Sequence, residues 1–336
     1  MSVAFLIAGL VLLTALHELG HAAAARALGM HISVVSVGFG PPVVHFRVRE
    51  ADVLFCVIPF GGFVRVEELS GEASEAEVRK VGLAKKLVVT LAGSSANYLI
   101  AAAIGVGLAL GWGVDTGRTL GLEVTMVSEH AAQAGLAPGD VVLRADGAHL
   151  QSVEQLQAAF TAAGARPVRL ELLRAAETRE VFASAAGPGR SGLGARYVPK
   201  PELLRVGLLS AAAHGLVDPL RKASAMLVSA GRWLTPAKAR RPVSPVGLAS
   251  RVAQSGRWDA RRVLTFAGLL SVVVGLFNLL PIPGLDGGRV CIAVGEAVLR
   301  RRLASRVALA IQLTGALILF AAWIVIVVFD VLALGR

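Results

Sequence analysis

Cysteine is scarce in this chain: Cys56 and Cys291 are the only two in 336 residues. Both fall in segments that read as cytoplasmic and the exported region has none, so no disulfide framework holds that region and both read as reduced packing residues. Charge is scarce as well, at 17% Asp, Glu, Lys and Arg, with 23 acidic residues against 34 basic ones. What replaces it is apolar: 55% of the chain is hydrophobic, and the mean hydropathy is +0.66. That composition excludes an ordinary soluble globule and makes the location of membrane spans the first question. No basic residue precedes the first apolar run, and His17, Glu18 and His21 sit inside it. Both features count against a secretory signal peptide. No internal repeat is apparent.

Four segments read as spans: Ser2 to Ala25, Leu87 to Trp112, Val263 to Leu280 and Val307 to Leu334. Each has the roughly 20 residues that a helix needs to cross a hydrocarbon core of about 30 Å. The formal charge of +11 invites a nucleic-acid reading, but the basic residues flank spans and decorate loops, so no nucleic-acid partner is expected. Arg26, Arg47, Arg49, Arg65, Arg79, Lys80, Lys85 and Lys86 lie between the first and second spans. Arg289, Arg300, Arg301, Arg302 and Arg306 lie between the third and fourth. Such loops stay in the cytoplasm, which places both termini outside. The segment between spans two and three is also basic, but large domains cross regardless of charge.

Between the first two spans, residues 26–86 form a cytoplasmic loop in two parts. Ile32 to Val66 is rich in Val, Phe and Ile and punctuated by Gly38, Gly40, Pro41, Pro42, Gly61 and Gly62, which reads as strands and tight turns. Glu67 to Lys80 turns from acidic to basic and reads as a solvated helical connector. After the second span, Leu120 to Ala185 alternates like a small soluble domain. Leu122–Val127 and Val168–Leu173 read as strands, and Ser152–Ala163 as an amphipathic helix. Within it, AAQAGLAPGDVVLRADG (Ala131 to Gly147) gives a short helix, a Pro-Gly-Asp turn, a strand and an Asp-Gly turn. This run resembles a PDZ domain of the kind attached to bacterial proteases, placed at residues 118–187. Residues 188–262 then read as a linker and an amphipathic helix from Glu202 to Leu234, too charged to span.

The chemistry concentrates in HELGH, His17 to His21. Residues i and i+4 project from one helix face, so the two imidazoles can share a metal. Glu18 can reach a water on that metal as a general base; two neutral imidazoles suit Zn²⁺. Three ionisable groups within five residues of a span are costly unless they are used. A catalytic zinc needs a third protein ligand, and Asp286 stands out in NLLPIPGLDGG, Asn278 to Gly288. Pro281 and Pro283 break the helix there, as is tolerated at membrane depth beside a cavity. The alternative is that Asp286 merely caps the following helix.

Taken together, these segments resemble the site-2 proteases, intramembrane zinc metalloproteases, in their bacterial branch that regulates sigma factors. The resemblance runs in order through HELGH, VGFGPP (Val37–Pro42), IPFGGFV (Ile58–Val64), LAGSSANY (Leu91–Tyr98), PVSPVGLA (Pro242–Ala249) and NLLPIPGLDGG. It implies His17, His21 and Asp286 as ligands of one Zn²⁺ per chain, with Glu18 as the base. Asn97 and Asn278 match asparagines beside the substrate, where amides hydrogen-bond an unwound backbone; helix–helix hydrogen bonding is their alternative role. Ile58, Phe60, Gly61 and Gly62 match a membrane-dipping β-hairpin whose strand edge receives substrate in extended form. The chain departs from the best-known members in carrying one PDZ domain rather than two. It also has Gly93-Ser94-Ser95 where Gly-Pro is common, from which a local helix change is expected.

The fold class expected is a polytopic α-helical membrane protein of the bacterial inner membrane with about four transmembrane helices. It carries a membrane-associated β-hairpin loop and one inserted α+β PDZ domain. The PDZ domain would be extracytoplasmic and HELGH near the cytoplasmic face. The partners implied are membrane lipid and single-span membrane proteins, pre-trimmed by another protease. A metal-binding transporter and an inactive PDZ scaffold are the competing readings. His31, His45, His130, His149 and His214 match no metal spacing.

Overall fold

Long uninterrupted apolar runs leave a chain little choice but helix at membrane depth, where every backbone amide must find a partner within its own segment. The computed structural model describes residues 3–70, 81–185, 194–233, 259–301 and 303–334. Among these, three helices are long and apolar enough to cross a membrane. They are α1 (Val3–Ala27, its apolar window Ala8–Ala27), α3 (Leu83–Gly111) and α7 (Ala260–Asn278). The 19 residues of α7 reach about 28 Å, close to the hydrocarbon thickness. The expected boundaries shift by a few residues, most at the start of α3. By contacts, the chain divides into two compact units, residues 109–211 forming one and the remaining described helices and strands the other.

In the larger unit, α1 runs into β1 (Ile32–Val48) and β2 (Ala51–Val66), followed by the short α2 (Glu67–Ser70). β1 and β2 pair in more than one register. Val34–Val37 lie beside Asp52–Phe55 with both numbers rising, and beside Gly62–Arg65 with one falling. Val44–Val48 pair on the outer side of Ala51–Phe55. Two long strands thus lay down four courses side by side, in the order Gly62–Arg65, Val34–Val37, Asp52–Phe55 and Val44–Val48. The reversal lies at Arg49, whose φ is 57°. Ile58–Val64, expected as part of a β-hairpin, lies within β2 and pairs with β1 at Phe39↔Ile58 and from Val37↔Gly62 to Val35↔Val64. The remainder of the expected connector, residues 71–80, and PVSPVGLA lie outside the described residues.

Close helix approach depends on small side chains. A Cβ at Gly20 of α1 would sit 2.7 Å from both the Ala92 carbonyl oxygen and Ala96 Cβ of α3. Ala25, Met30, Val66, Val81 and Val89 bury together where α1, β2 and α3 meet. Further along α3, Ala101 packs with Val272 of α7 and with Ala223 of α6 (Leu208–Trp233). The chain then passes from α7 through a broken stretch into α8 (Asp286–Val298) and α9 (Ser305–Leu334). Within α9, Arg306–Ala322 is the apolar stretch.

The smaller unit opens with β3 (Val114–Val127) and the short α4 (Glu129–Gln133). It continues through β4 (Val141–Ala145), β5 (Ala148–His149), α5 (Val153–Ala163), β6 (Val168–Arg174) and β7 (Glu177–Ala183). β8 (Ala195–Leu204) closes it. The strand order is β7-β6-β4-β3-β8, with β5 on β4. Leu122, Val124, Val142, Leu170 and Leu172 from the strands bury against Leu156 and Phe160 of α5. Asp140 is 1% exposed and accepts from Arg174 Nε and Nη2 at 2.7 Å and from the Ala137 amide at 2.8 Å. One expectation is corrected: residues 195–204, read as linker, form β8, paired with β3 from Val114↔Leu204 to Val127↔Ala195. The amphipathic helix accordingly starts at Leu208, not Glu202.

Candidate metal centre

An apolar helix with two histidines a turn apart presents both to one neighbour, and α1 presents them to the broken stretch between α7 and α8. His17, Glu18, His21 and Asp286 are 4, 6, 6 and 6% exposed, the deepest ionisable groups of this unit among the described residues. Nε2 of His17 and of His21 lie 3.1 and 3.2 Å from Asp286 Oδ2, and 3.2 Å from each other. Among the described residues this trio is the one cluster of three His, Cys, Asp or Glu suited to a metal ion.

Donor chemistry tests the fit. The Asp286 oxygen can accept from both rings only when both Nε2 atoms are protonated; with neutral rings protonated on Nδ1, two lone pairs face a carboxylate oxygen, which is the donor set of a cation. His21 donates its Nδ1 proton to the Val89 carbonyl at 2.8 Å, which leaves its Nε2 a bare lone pair. Donor atoms about 2.0–2.1 Å from a tetrahedral zinc ion lie about 3.3–3.4 Å apart, so this triangle needs an opening of only about 0.2 Å. The residues fit zinc, with three protein donors and a position left open.

The turn that delivers Asp286 has its own supports. α7 ends at Asn278, and the chain turns through Ile282 and Leu285, whose amides donate to the Leu280 and Ile282 carbonyls. The Gly284 amide donates to Gln312 Oε1 of α9 at 2.6 Å. Asp286 opens α8, but no side chain caps that helix at Leu285. The carboxylate is turned to the histidines, and the capping alternative fails.

Of the other expected residues, Asn97 is brought to the centre, beside a ligand histidine. It is fully buried, and its amide lies 3.1 Å from His17 Nδ1. Asn278 turns its amide to the Val274 carbonyl of its own helix at 3.0 Å. Gly62 does reach the centre: a Cβ there would lie 2.9 Å from Glu18 Cγ and 3.2 Å from Glu18 Oε1. Ile58 and Gly61 instead meet β1, at Gly38 and Phe39. Phe60 is placed within β2 by its backbone; its side chain lies outside the description. Sequence reasoning missed Val89 and Gln312. Val89 acts through its carbonyl, which no side chain advertises. Gln312 did leave a signal, a lone amide in an apolar helix.

Comparison with known proteins bears on the same residues. The model of Peptidase family M50 matches residues 5–322. A Clostridium perfringens protein bearing the name of a zinc metalloprotease is 27% identical over 326 residues, covering 94% of each chain. A Nostoc protein similarly named is 29% identical over 354 residues, covering 98% of this chain and 95% of its own. Metalloprotease MmpA of Caulobacter vibrioides is 29% identical over 367 residues, covering 91% and 90%.

Proposed function

Because the chain belongs to Peptidase family M50, we propose that it is a zinc endopeptidase cutting membrane-anchored substrates within or at the edge of the bilayer. The observation that carries this reading is the convergence of His17, His21 and Asp286 beside Glu18 in a unit made of apolar helices. The chemistry a bound zinc ion supplies is polarisation of the scissile carbonyl and acidification of water. His17, His21 and Asp286 would hold it. Glu18, a buried carboxylate, takes the proton of the attacking water and returns it to the leaving amine.

A helical substrate hides its amides, so it must be extended before attack. The Gly62–Arg65 course runs beside Val34–Val37, and Gly62 brings its backbone directly against Glu18, where a Cβ would lie 2.9 Å from Cγ. Extended substrate adding along that course is drawn past Glu18. The Arg306–Ala322 stretch serves as core of a fourth span, and the 109–211 unit acts as a PDZ-type module on the extracytoplasmic side of a bacterial inner membrane, as the basic loops indicate. The substrates that suit this arrangement are single-span proteins already trimmed by another protease, anti-sigma factors or remnant signal peptides, in regulated intramembrane proteolysis.

The test is Glu18→Gln in the purified full-length protein. Hydrolysis of a single-span reporter should fall by at least about a thousandfold while one zinc per chain is retained. Cleavage at the wild-type rate would overturn the reading, and equal inactivity of the wild-type protein would favour a scaffold.

A further inference from the structure

Both metal-binding imidazoles touch the same neighbour, and they touch it at regular intervals. Val89, Gly93 and Asn97 follow one another every four residues along α3, so all three lie on one face of that helix. The first receives His21 Nδ1 on its carbonyl at 2.8 Å. The last lies 3.1 Å from His17 Nδ1 through its amide. Between them, Gly93 has no side chain. A Cβ built there would collide with His21 Nε2 and stand 2.7 Å from both His17 Nε2 and His21 Cε1. The α3 backbone therefore lies directly against the two nitrogens that face Asp286.

We infer that α3 is the template of the metal centre, with Gly93 and Asn97 as positioning residues that no ligand motif names. Gly93 admits the two Nε2 atoms, and Asn97 sets which nitrogen of His17 carries the proton. The inference rests on the zinc reading above. A histidine offering Nε2 to a cation keeps its proton on Nδ1, whereas the Asn97 amide presents Nδ2 there and leaves its buried Oδ1 without a partner among the described residues; turned over, the amide offers that oxygen to the Nδ1 proton. The backbone carbonyl of Asn97 accepts from Ser271 Oγ of α7 at 2.8 Å, which fixes that part of the helix.

Magnitudes decide what a methyl group at position 93 would do. To regain ordinary contact, His17 Nε2 must retreat by about 0.7 Å, several times the roughly 0.2 Å that a metal–ligand distance tolerates. Neither ring is free to retreat, because each is tied through Nδ1 to the same helix that pushes it. Helix formation itself favours Ala over Gly, so the substitution strikes the metal centre and not the helix. Asn97 acts more mildly. Loss of an outer hydrogen-bond partner of a ligand histidine lowers metal affinity on the order of 10- to 100-fold.

Zinc affinity of the full-length protein in detergent, measured by chelator competition with total metal analysis, tests this directly. Gly93→Ala should lose stoichiometric zinc while keeping wild-type helicity. Gly107→Ala, on the same helix with no atom within 4 Å of its Cβ, should keep both. Asn97→Leu should bind zinc at least tenfold more weakly, and Asn97→Asp, which restores an acceptor oxygen, should recover most of that loss. The d–d spectrum of bound Co²⁺ should change in Asn97→Leu and return in Asn97→Asp. Wild-type affinity in Gly93→Ala overturns the role of Gly93, and wild-type affinity in Asn97→Leu overturns that of Asn97. Should Gly93→Ala not fold, the Asn97 pair alone decides the inference. A wild-type protein without zinc would instead refute the underlying metal assignment.

Discussion

Asp140 and Asp286 are both deeply buried carboxylates, and their surroundings give them opposite tasks. Asp140 is answered in full, by two nitrogens of Arg174 and the Ala137 amide. Burial alone would raise its pKa; the Arg174 guanidinium and the Ala137 amide outweigh that and hold it below the ordinary carboxylate value. The group is structural. Since the folded state binds its proton more weakly, its contribution to stability is complete above about pH 4 and fades as pH falls through the lowered value. Asp140→Asn should cost the unit about 2–3 kcal/mol, less than a wholly buried pair because Arg174 is partly exposed. Amide exchange in β4 and β6 should then lose its acid dependence. Asp286 Oδ2 instead lies against the Nε2 atoms of His17 and His21. Asp286→Ala, like His17→Ala or His21→Ala, should lower zinc affinity by more than a hundredfold and abolish hydrolysis, as metal analysis and a peptide-release assay would show. Retention of stoichiometric zinc in the His17→Ala, His21→Ala double variant would sink the assignment.

At the scale of elements, the stretch that presents Asp286 is held by contact with α9. Gly284 donates to Gln312, and a Cβ at Gly315 would run into the Pro283 backbone. Gly315→Val should therefore displace the turn and weaken zinc binding about tenfold or more, with α9 still helical. Unchanged affinity would show that the turn holds its shape alone. The same contrast explains what could be read from the sequence. The helices and the HELGH–Asp286 set were legible because polar groups are costly in apolar runs and so stand out. β8 was hidden because Pro199 and Pro201 interrupt the strand pattern; as the edge of its sheet it tolerates prolines that an inner strand would not. The doubled pairing of β1 was also hidden, since alternation reveals a strand but not its register. Asn97 was legible as a functional amide, but whether it meets substrate or a ligand histidine depends on which way α3 turns that face.

For the whole molecule, the first measurement is orientation. A thiol introduced at Ser152 should react with an impermeant reagent added to intact cells, while Cys56 stays protected. The reverse pattern would overturn the topology proposed from the basic loops. The second concerns the inserted unit, which we expect to exclude bulky ectodomains. Excising residues 114–204 and joining Gly113 to Arg205 should allow cleavage of substrates with intact ectodomains, and leave trimmed substrates nearly unaffected. Loss of trimmed-substrate cleavage in a zinc-loaded protein would mean that the unit recruits.

That excision is feasible because Val114 pairs with Leu204, and the same pairing shapes how the membrane helices find each other. α3 enters the insertion and α6 leaves it, and the two then pack closely, Gly105 against Gly215. Before the insertion folds, they are joined by the slack tether 114–204, and closing so long a loop costs about 3 kcal/mol more than closing a short turn. Once the β3–β8 ladder has zipped shut, the tether has the reach of a hairpin bend, and the effective concentration of α6 near α3 rises accordingly. The insertion thus acts as a clasp for the pair of helices that flank it, and loosening it at Asp140 should be felt as weaker pairing of α3 with α6.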